Sequence, residues 1–182
     1  MRVIAGTARS IGLVTPKGMD TRPTVDKYKE TLFNCLQSQV GNCVFVDLFA
    51  GSGAIGIEAL SRGASKCYFV EKGSDAIKCI KENLKKTHLE DRAIVSQKDV
   101  LYFIKSSLNE IPDIIFLDPP FKDHLEAKVL PLLVEENKIS EDTIIIVECD
   151  LDAKFDYLDE LGLEIYKEKV YKTNQHIFIR RK

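Results

Sequence analysis

Val44-Phe45-Val46-Asp47-Leu48-Phe49-Ala50-Gly51-Ser52-Gly53-Ala54-Ile55-Gly56 decides the architecture of this 182-residue chain. The apolar run Cys43–Phe49 reads as a buried strand. It stops at a glycine-rich turn, and Ala54–Arg62 follows with a helical pattern that ends at Gly63. Strand, turn and helix in that order open a βαβ unit. The alternation continues downstream. Strands are predicted at Lys66–Val70, Ala93–Gln97, Asp113–Leu117 and Thr143–Cys149. Helices are predicted at Ser74–Thr87, with Ile77, Ile80 and Leu84 inward, and at Val100–Leu108 and Leu125–Glu135. The tail offers Leu163–Tyr171 and Gln175–Arg180, joined by Lys172-Thr173-Asn174 as a closing hairpin.

Upstream of the first strand, Val3–Ala5 against Leu13–Thr15 reads as a small β-hairpin, broken off by Pro16-Lys17-Gly18. Thr24 is a fitting N-cap for a helix over about Val25–Gln37, with Tyr28, Leu32, Phe33 and Leu36 on its apolar face. The pattern predicts an α/β fold: a mostly parallel sheet with helices on both faces. The chain reads as one domain over 1–182. Residues 1–23 form an N-terminal hairpin extension and 24–182 the α/β core. Ligands in such sheets bind beyond the carboxyl ends of the strands, where Asp47, Gly51, Glu71, Asp99 and Asp118 fall.

Composition narrows the class. Hydrophobic content of 45% and charged content of 30% are those of a soluble globular protein. The apolar runs are too short to span a bilayer, and no apolar leader follows Met1-Arg2. Five cysteines, odd in number and without a Cys-x-x-Cys pair, point to a reducing cytoplasm and away from a zinc site. His88, His124 and His176 are scattered, and no metal is expected. The net charge of −2 hides an asymmetry. Residues 1–29 carry six basic and two acidic side chains, residues 164–182 the same, and the middle is acidic. Basic ends on an acidic body suggest a surface for a polyanion. Arg2, Arg9, Lys17, Arg22, Lys27 and Lys29 are the candidate contacts; plain solvated termini are the alternative.

Gly51-Ser52-Gly53-Ala54-Ile55-Gly56 satisfies G-x-G-x-x-G, and Glu71 lies 20 residues after Gly51. Both match a dinucleotide site, so a nicotinamide-dependent oxidoreductase is a rival. Asp47 discriminates. A carboxylate four residues before the first glycine is a poor neighbour for a pyrophosphate, which needs a helix N-terminus free of negative charge. It suits the ammonium of S-adenosylmethionine (SAM). Glu71 can accept from both ribose hydroxyls in either cofactor, and Asp99 from the adenine amine. The candidate cofactor set is Asp47, Ala50, Gly51, Gly53, Glu71 and Asp99. Gly53 and Gly56 could instead serve close packing, and Asp99 could cap a helix.

Asp118-Pro119-Pro120-Phe121 ends the strand Ile114-Ile115-Phe116-Leu117. It puts a carboxylate at the strand's carboxyl end, and two prolines then stiffen the backbone and remove two N–H donors. The carbonyls of Asp118 and Pro119 stay free to accept, and Phe121 offers a stacking face. An acceptor-rich pocket beside an aromatic ring suits a planar group bearing an NH2, such as a nucleobase amine. A strand-to-loop turn is the plain alternative.

Together these segments resemble the RsmD-type methyltransferases, which methylate the N2 amine of one guanine in bacterial small-subunit ribosomal RNA. The resemblance covers nearly the whole length. It rests on Arg2-Val3-Ile4-Ala5-Gly6, Thr21-Arg22-Pro23-Thr24, Glu30-Thr31-Leu32-Phe33-Asn34, Asp47-Leu48-Phe49-Ala50-Gly51-Ser52-Gly53-Ala54, Glu58-Ala59-Leu60-Ser61-Arg62-Gly63-Ala64, Phe69-Val70-Glu71 and Asp118-Pro119-Pro120-Phe121. Departures are Ser10-Ile11, where the family usually has Arg-Gly, and Lys27 and Lys29, where arginines are usual; lysine keeps the charge but loses the bidentate fork. The resemblance implies a Rossmann-like SAM-dependent methyltransferase fold, SAM as cofactor, and 16S ribosomal RNA, free or as a protein-bound particle, as partner. An adenine-N6 methyltransferase of DNA or RNA remains the alternative within the same chemistry.

Overall fold

The computed structural model describes residues 1–16, 23–120 and 123–182. Among the described residues five α-helices and seven strands follow one another, alternating as far as β5: α1 Pro23–Cys35, β1 Val44–Asp47, α2 Ala54–Ser61, β2 Lys66–Glu71, α3 Ser74–Thr87, β3 Ala93–Gln97, α4 Val100–Ser106, β4 Ile114–Leu117, α5 Glu126–Glu135, β5 Ile144–Cys149, β6 Leu163–Val170 and β7 Gln175–Arg181. The strands form one sheet in the order β3-β2-β1-β4-β5-β7-β6. The first five are mutually parallel; β7 runs antiparallel to both β5 and β6. The mostly parallel sheet and its C-terminal antiparallel hairpin agree with the sequence.

All four residues of β4 are buried, as are three of the four in β1. Strands covered on both faces must be apolar throughout, which is why Ile114–Leu117 carries no polar residue. One core cluster joins Phe45, Phe69, Phe116, Ile146 and Phe178 to Leu32, Phe33, Ile57, Leu60 and Ile80 of α1, α2 and α3. The other joins Val46, Val70, Ile115, Leu117 and Val147 to Phe103, Ile104, Val129 and Leu133 of α4 and α5. Alternate residues of one strand therefore feed opposite layers. Gly56 lets α2 approach the sheet, since a Cβ there would lie 2.4 Å from Phe69 Cε1 and 2.7 Å from Cys67 Sγ.

The N-terminal segment doubles back antiparallel, but as a single bridge, Arg2 with Gly12, rather than as paired strands over Val3–Ala5 and Leu13–Thr15. The amides of Ile4 and Ala5 go instead to the Glu58 carboxylate, at 2.8 and 3.0 Å. Ser61 Oγ accepts from Ala8 N and donates to the Ala5 carbonyl. With those groups committed to α2, no ladder can extend. Val3, Ala8 and Leu13 join the core.

Candidate active site

Strand order reverses between β1 and β4: the chain moves from β1 outward to β3, then returns to the far side of β1. That switch point is where a parallel α/β sheet opens a crevice at its carboxyl edge. Asp47 ends β1, and Asp118 follows β4. Phe116 pairs with both Asp47 and Ile146, and Glu148 pairs with His176. Side chains two apart on a strand share a face, so Asp118, two beyond Phe116, stands beside Glu148, two beyond Ile146. Glu71, two beyond Phe69, is on the same face as Asp47. One edge of one face thus carries Glu71, Asp47, Asp118, Glu148 and His176.

Asp47 is 1% exposed. Its Oδ2 accepts from Gly56 N at 3.3 Å, and its Oδ1 has no partner. Burial pushes its carboxyl up to about 7; the Gly56 and Phe49 amides act against this, and the charge of Glu71 adds to it. A buried carboxylate with an idle oxygen and no cation beside it can accept a positively charged hydrogen-bond donor. Gly51, at φ 52°, takes a conformation that favours glycine, and a Cβ there would meet nothing within 4 Å. The loop surface at this point is open. Glu71 holds that loop, accepting from Gly51 N at 3.0 Å and from Gly73 N at 2.7 Å. Ala50 is buried, and its N–H donates to the Val70 carbonyl. Gly53 sits at φ 80° before α2, 3.2 Å from Ile80 Cγ1 were it to carry a Cβ. Asp99 is exposed and its Oδ1 caps α4, accepting from Leu101 N and Tyr102 N. The capping role and a ligand contact use different lone pairs of one carboxylate.

Asp118 has much of its surface open to solvent while Pro119 is buried. Desolvation, then the charges of Glu148 and Asp47, raise its carboxyl well above the usual carboxylate range. Asp118 is exposed, so solvent offsets part of that desolvation, while Glu148 and Asp47 act in the same direction. Phe121, Lys17 and Arg22 lie outside the described residues. Sequence reading missed Glu148 and its neighbours. Glu148 Oε2 lies 3.1 Å from His176 Nε2, Asn174 Nδ2 donates to its Oε1, and His176 Nδ1 lies 3.1 Å from the Tyr171 hydroxyl. Tyr171 stacks on Tyr28 of α1, centroids 4.0 Å apart. The only sequence signal was the repeated spacing of an apolar residue two positions from an ionisable one: Phe45/Asp47, Phe69/Glu71, Phe116/Asp118, Ile146/Glu148 and His176/Phe178.

The basic residues divide. Arg2, Arg9 and Lys27 are exposed, Arg2 with its Nε 3.8 Å from Asp26. Lys29 does not belong with them. It is 2% exposed, 3.1 Å from Glu58, and donates to the Arg2 carbonyl. Its burial keeps a polyanion from reaching it, and Glu58, buried with it, supplies the counter-charge. At the other end of the chain, Arg180 pairs with Glu164 and Lys182 with Asp159. Both flank the amino end of β5, away from Asp118. Among the described residues no group of three His, Cys, Asp or Glu side chains could hold a metal, and no helix is long and apolar enough to cross a membrane.

A mostly parallel seven-stranded sheet with an inserted antiparallel β7, a glycine loop after β1 and Asp-Pro-Pro after β4 is the Rossmann-like fold of the methyltransferases. The solved Escherichia coli protein YhhF, itself assigned only provisionally as a methyltransferase, superposes with a TM-score of 0.85 at 29% identity, over 100% of this chain and 97% of that one. The profile of the family described as conserved hypothetical protein 95 matches residues 1–180, and the chain belongs to that family, the RsmD family. The ribosomal RNA small subunit methyltransferase D of Haemophilus influenzae is 38% identical over 155 residues, 84% of this chain and 80% of the relative. That of Escherichia coli K12 is 30% identical over 152 residues, 84% and 76%.

Proposed function

We propose that this protein transfers a methyl group from SAM to the exocyclic N2 amine of a guanine in small-subunit (16S) ribosomal RNA, in the cytoplasm, with residues 1–182 acting as one catalytic domain. One observation carries the cofactor assignment. Asp47, Glu71, Asp118 and Glu148 share one edge of one face, and among the described residues no lysine or arginine pairs with any of them. Such an edge repels a diphosphate and favours a cation. Idle Asp47 Oδ1 and open Gly51 fit the ammonium-bearing, positively charged SAM. When bound, SAM supplies an electrophilic methyl group on a sulfonium. Asp47 would hold its charged end, Glu71 its ribose and Asp99 its adenine amine.

The chain's remaining task is to present the amine. A guanine N2 lone pair is delocalised into the ring, so the nitrogen is a weak nucleophile. Asp118 and the Pro119 carbonyl would accept its two N–H bonds, localise the lone pair and aim it, with Phe121 stacked on the base. Positioning and electrostatics suffice for this. A guanine in a loop reaches the site at lower cost than one extruded from a helix. The substrate in the relatives' names, small-subunit ribosomal RNA, supports the RNA assignment, as do exposed Arg2, Arg9 and Lys27.

The test is nucleoside mass spectrometry of small-subunit RNA, free and as a protein-bound particle, incubated with the protein and SAM. N2-methylguanosine is the expected product. N6-methyladenosine would transfer the protein to the adenine-modifying class. Tight NAD binding with no methyl transfer would overturn the reading altogether.

A further inference from the structure

We propose that Glu148, fixed by His176 and Asn174, is a positioning residue that makes Asp118 the proton acceptor of the site. The inference rests on Asp118 facing the substrate amine, as proposed above. It extends to how the nitrogen is discharged once it carries its new methyl group.

Leu117 pairs with Val147 at the last step of the β4–β5 ladder. Asp118 and Glu148 therefore stand side by side one residue further on, on the face that carries Phe116 and Ile146. A negative charge beside it penalises the ionised form of Asp118 and raises its carboxyl. Glu148 cannot turn away. His176, 1% exposed, and Asn174, 7% exposed, hold one oxygen each. His176 is itself fixed by Tyr171 at its other nitrogen and lies edge-on to Phe116, centroids 6.2 Å apart. Among the described residues Glu148 from β5 and Asp47 from β1 act on Asp118, with His176 of β7 and Tyr171 behind Glu148; His124, Glu126, Cys149 and Asp150 line the adjoining pocket with Pro119 and Glu148. No described lysine or arginine pairs with either carboxylate.

The proton step balances simply. The nitrogen, positive after gaining its methyl group, breaks one N–H bond and keeps the electron pair. Asp118 gains the proton as an O–H bond and becomes neutral, and the methylamine leaves neutral. The fixed negative charge of Glu148 favours this outcome, because it penalises the Asp118 carboxylate and not the acid. Proton release then proceeds to solvent, to which Asp118 is open.

The experiment reads Asp118 directly, without cofactor or RNA. The carbon-13 side-chain carboxyl resonance of Asp118 is followed against pH in the full chain. In the wild type the Asp118 resonance should titrate above the ordinary carboxylate range, with a second inflection that marks a coupled neighbour. Glu148→Gln should lower the Asp118 midpoint by at least one pH unit, and Glu148→Asp, which keeps the charge, should restore most of that shift. In the methylation assay the acidic limb of the kcat profile should move down by the same amount in Glu148→Gln. A single Asp118 inflection in the ordinary carboxylate range in the wild type, or an Asp118 midpoint unmoved by Glu148→Gln, would overturn the proposal. The wild-type titration decides even if the variant folds poorly. A wild type inactive on RNA but with coupled inflections would sink the substrate reading alone.

Discussion

Asp47 shows what one buried carboxyl does to the whole chain's pH response. Its folded-state value is about 7 against an ordinary 3.8. Below pH 4 it is protonated in both the folded and unfolded chain and has no effect. Between 4 and 7 the unfolded chain ionises first, so stability falls as pH rises. Above 7 the full penalty applies, on the order of 4 kcal/mol at about 1.4 kcal/mol per pKa unit. Asp47→Asn should therefore raise the melting temperature at pH 8 and leave it nearly unchanged at pH 4; equal shifts at both would mean the carboxyl is not strained by burial. The same substitution should abolish measurable SAM binding by calorimetry. Asp118→Ala should lower single-turnover methylation by about 10²-fold, the loss typical of removing one transition-state hydrogen-bonding group, with cofactor affinity unchanged. A normal rate would reduce Asp118 to a turn residue.

Elements were legible where the signal was local. Helix α3 matches its reading at both ends, because Ile77, Ile80 and Leu84 repeat at helical spacing over 14 residues. Strand β3 does as well. Helix α1 starts at Pro23 rather than Val25 and stops at Cys35, short of Gln37. Long-range partners were not legible. Lys29 looked like one of a basic stripe, and only contact with Glu58, far along the chain, makes it a core residue. The acidic edge was read strand by strand at Asp47, Glu71 and Asp118, but Glu148 gains its meaning from cross-strand His176. Glu58 unites the N-terminal segment with two helices, accepting from Ile4 N, Ala5 N, Lys29 and Arg62 Nε. Glu58→Ala strands the Lys29 ammonium in the core, which costs about 3–5 kcal/mol. Amide exchange should accelerate at Ile4 and Ala5 well before β4. Uniform acceleration would mean the segment does not depend on Glu58.

Across the whole molecule, the two basic ends are not equivalent. Arg9 and Lys27 are exposed, on the N-terminal segment and α1. Arg180 and Lys182 hold acidic partners at the sheet's opposite end. Neutralising Arg9 and Lys27 together should flatten the log–log salt dependence of RNA affinity by roughly one to two units. Neutralising Arg180 and Lys182 should leave the slope parallel to the wild type. The reverse result would move the RNA to the far end of the sheet and away from Asp118.

The place of β7 between β5 and β6 governs how the chain can be made. Every other strand is translated before residues 175–181. Until those residues emerge from the ribosome, β5 has an open edge and β6 has nothing to pair with. Open strand edges are templates for wrong pairing, and domains fold in step with synthesis. Glu148 meets His176 only when that last strand docks. A nascent chain that has completed the glycine loop, Asp47 and Asp118 therefore still lacks the contact that fixes Glu148 beside Asp118.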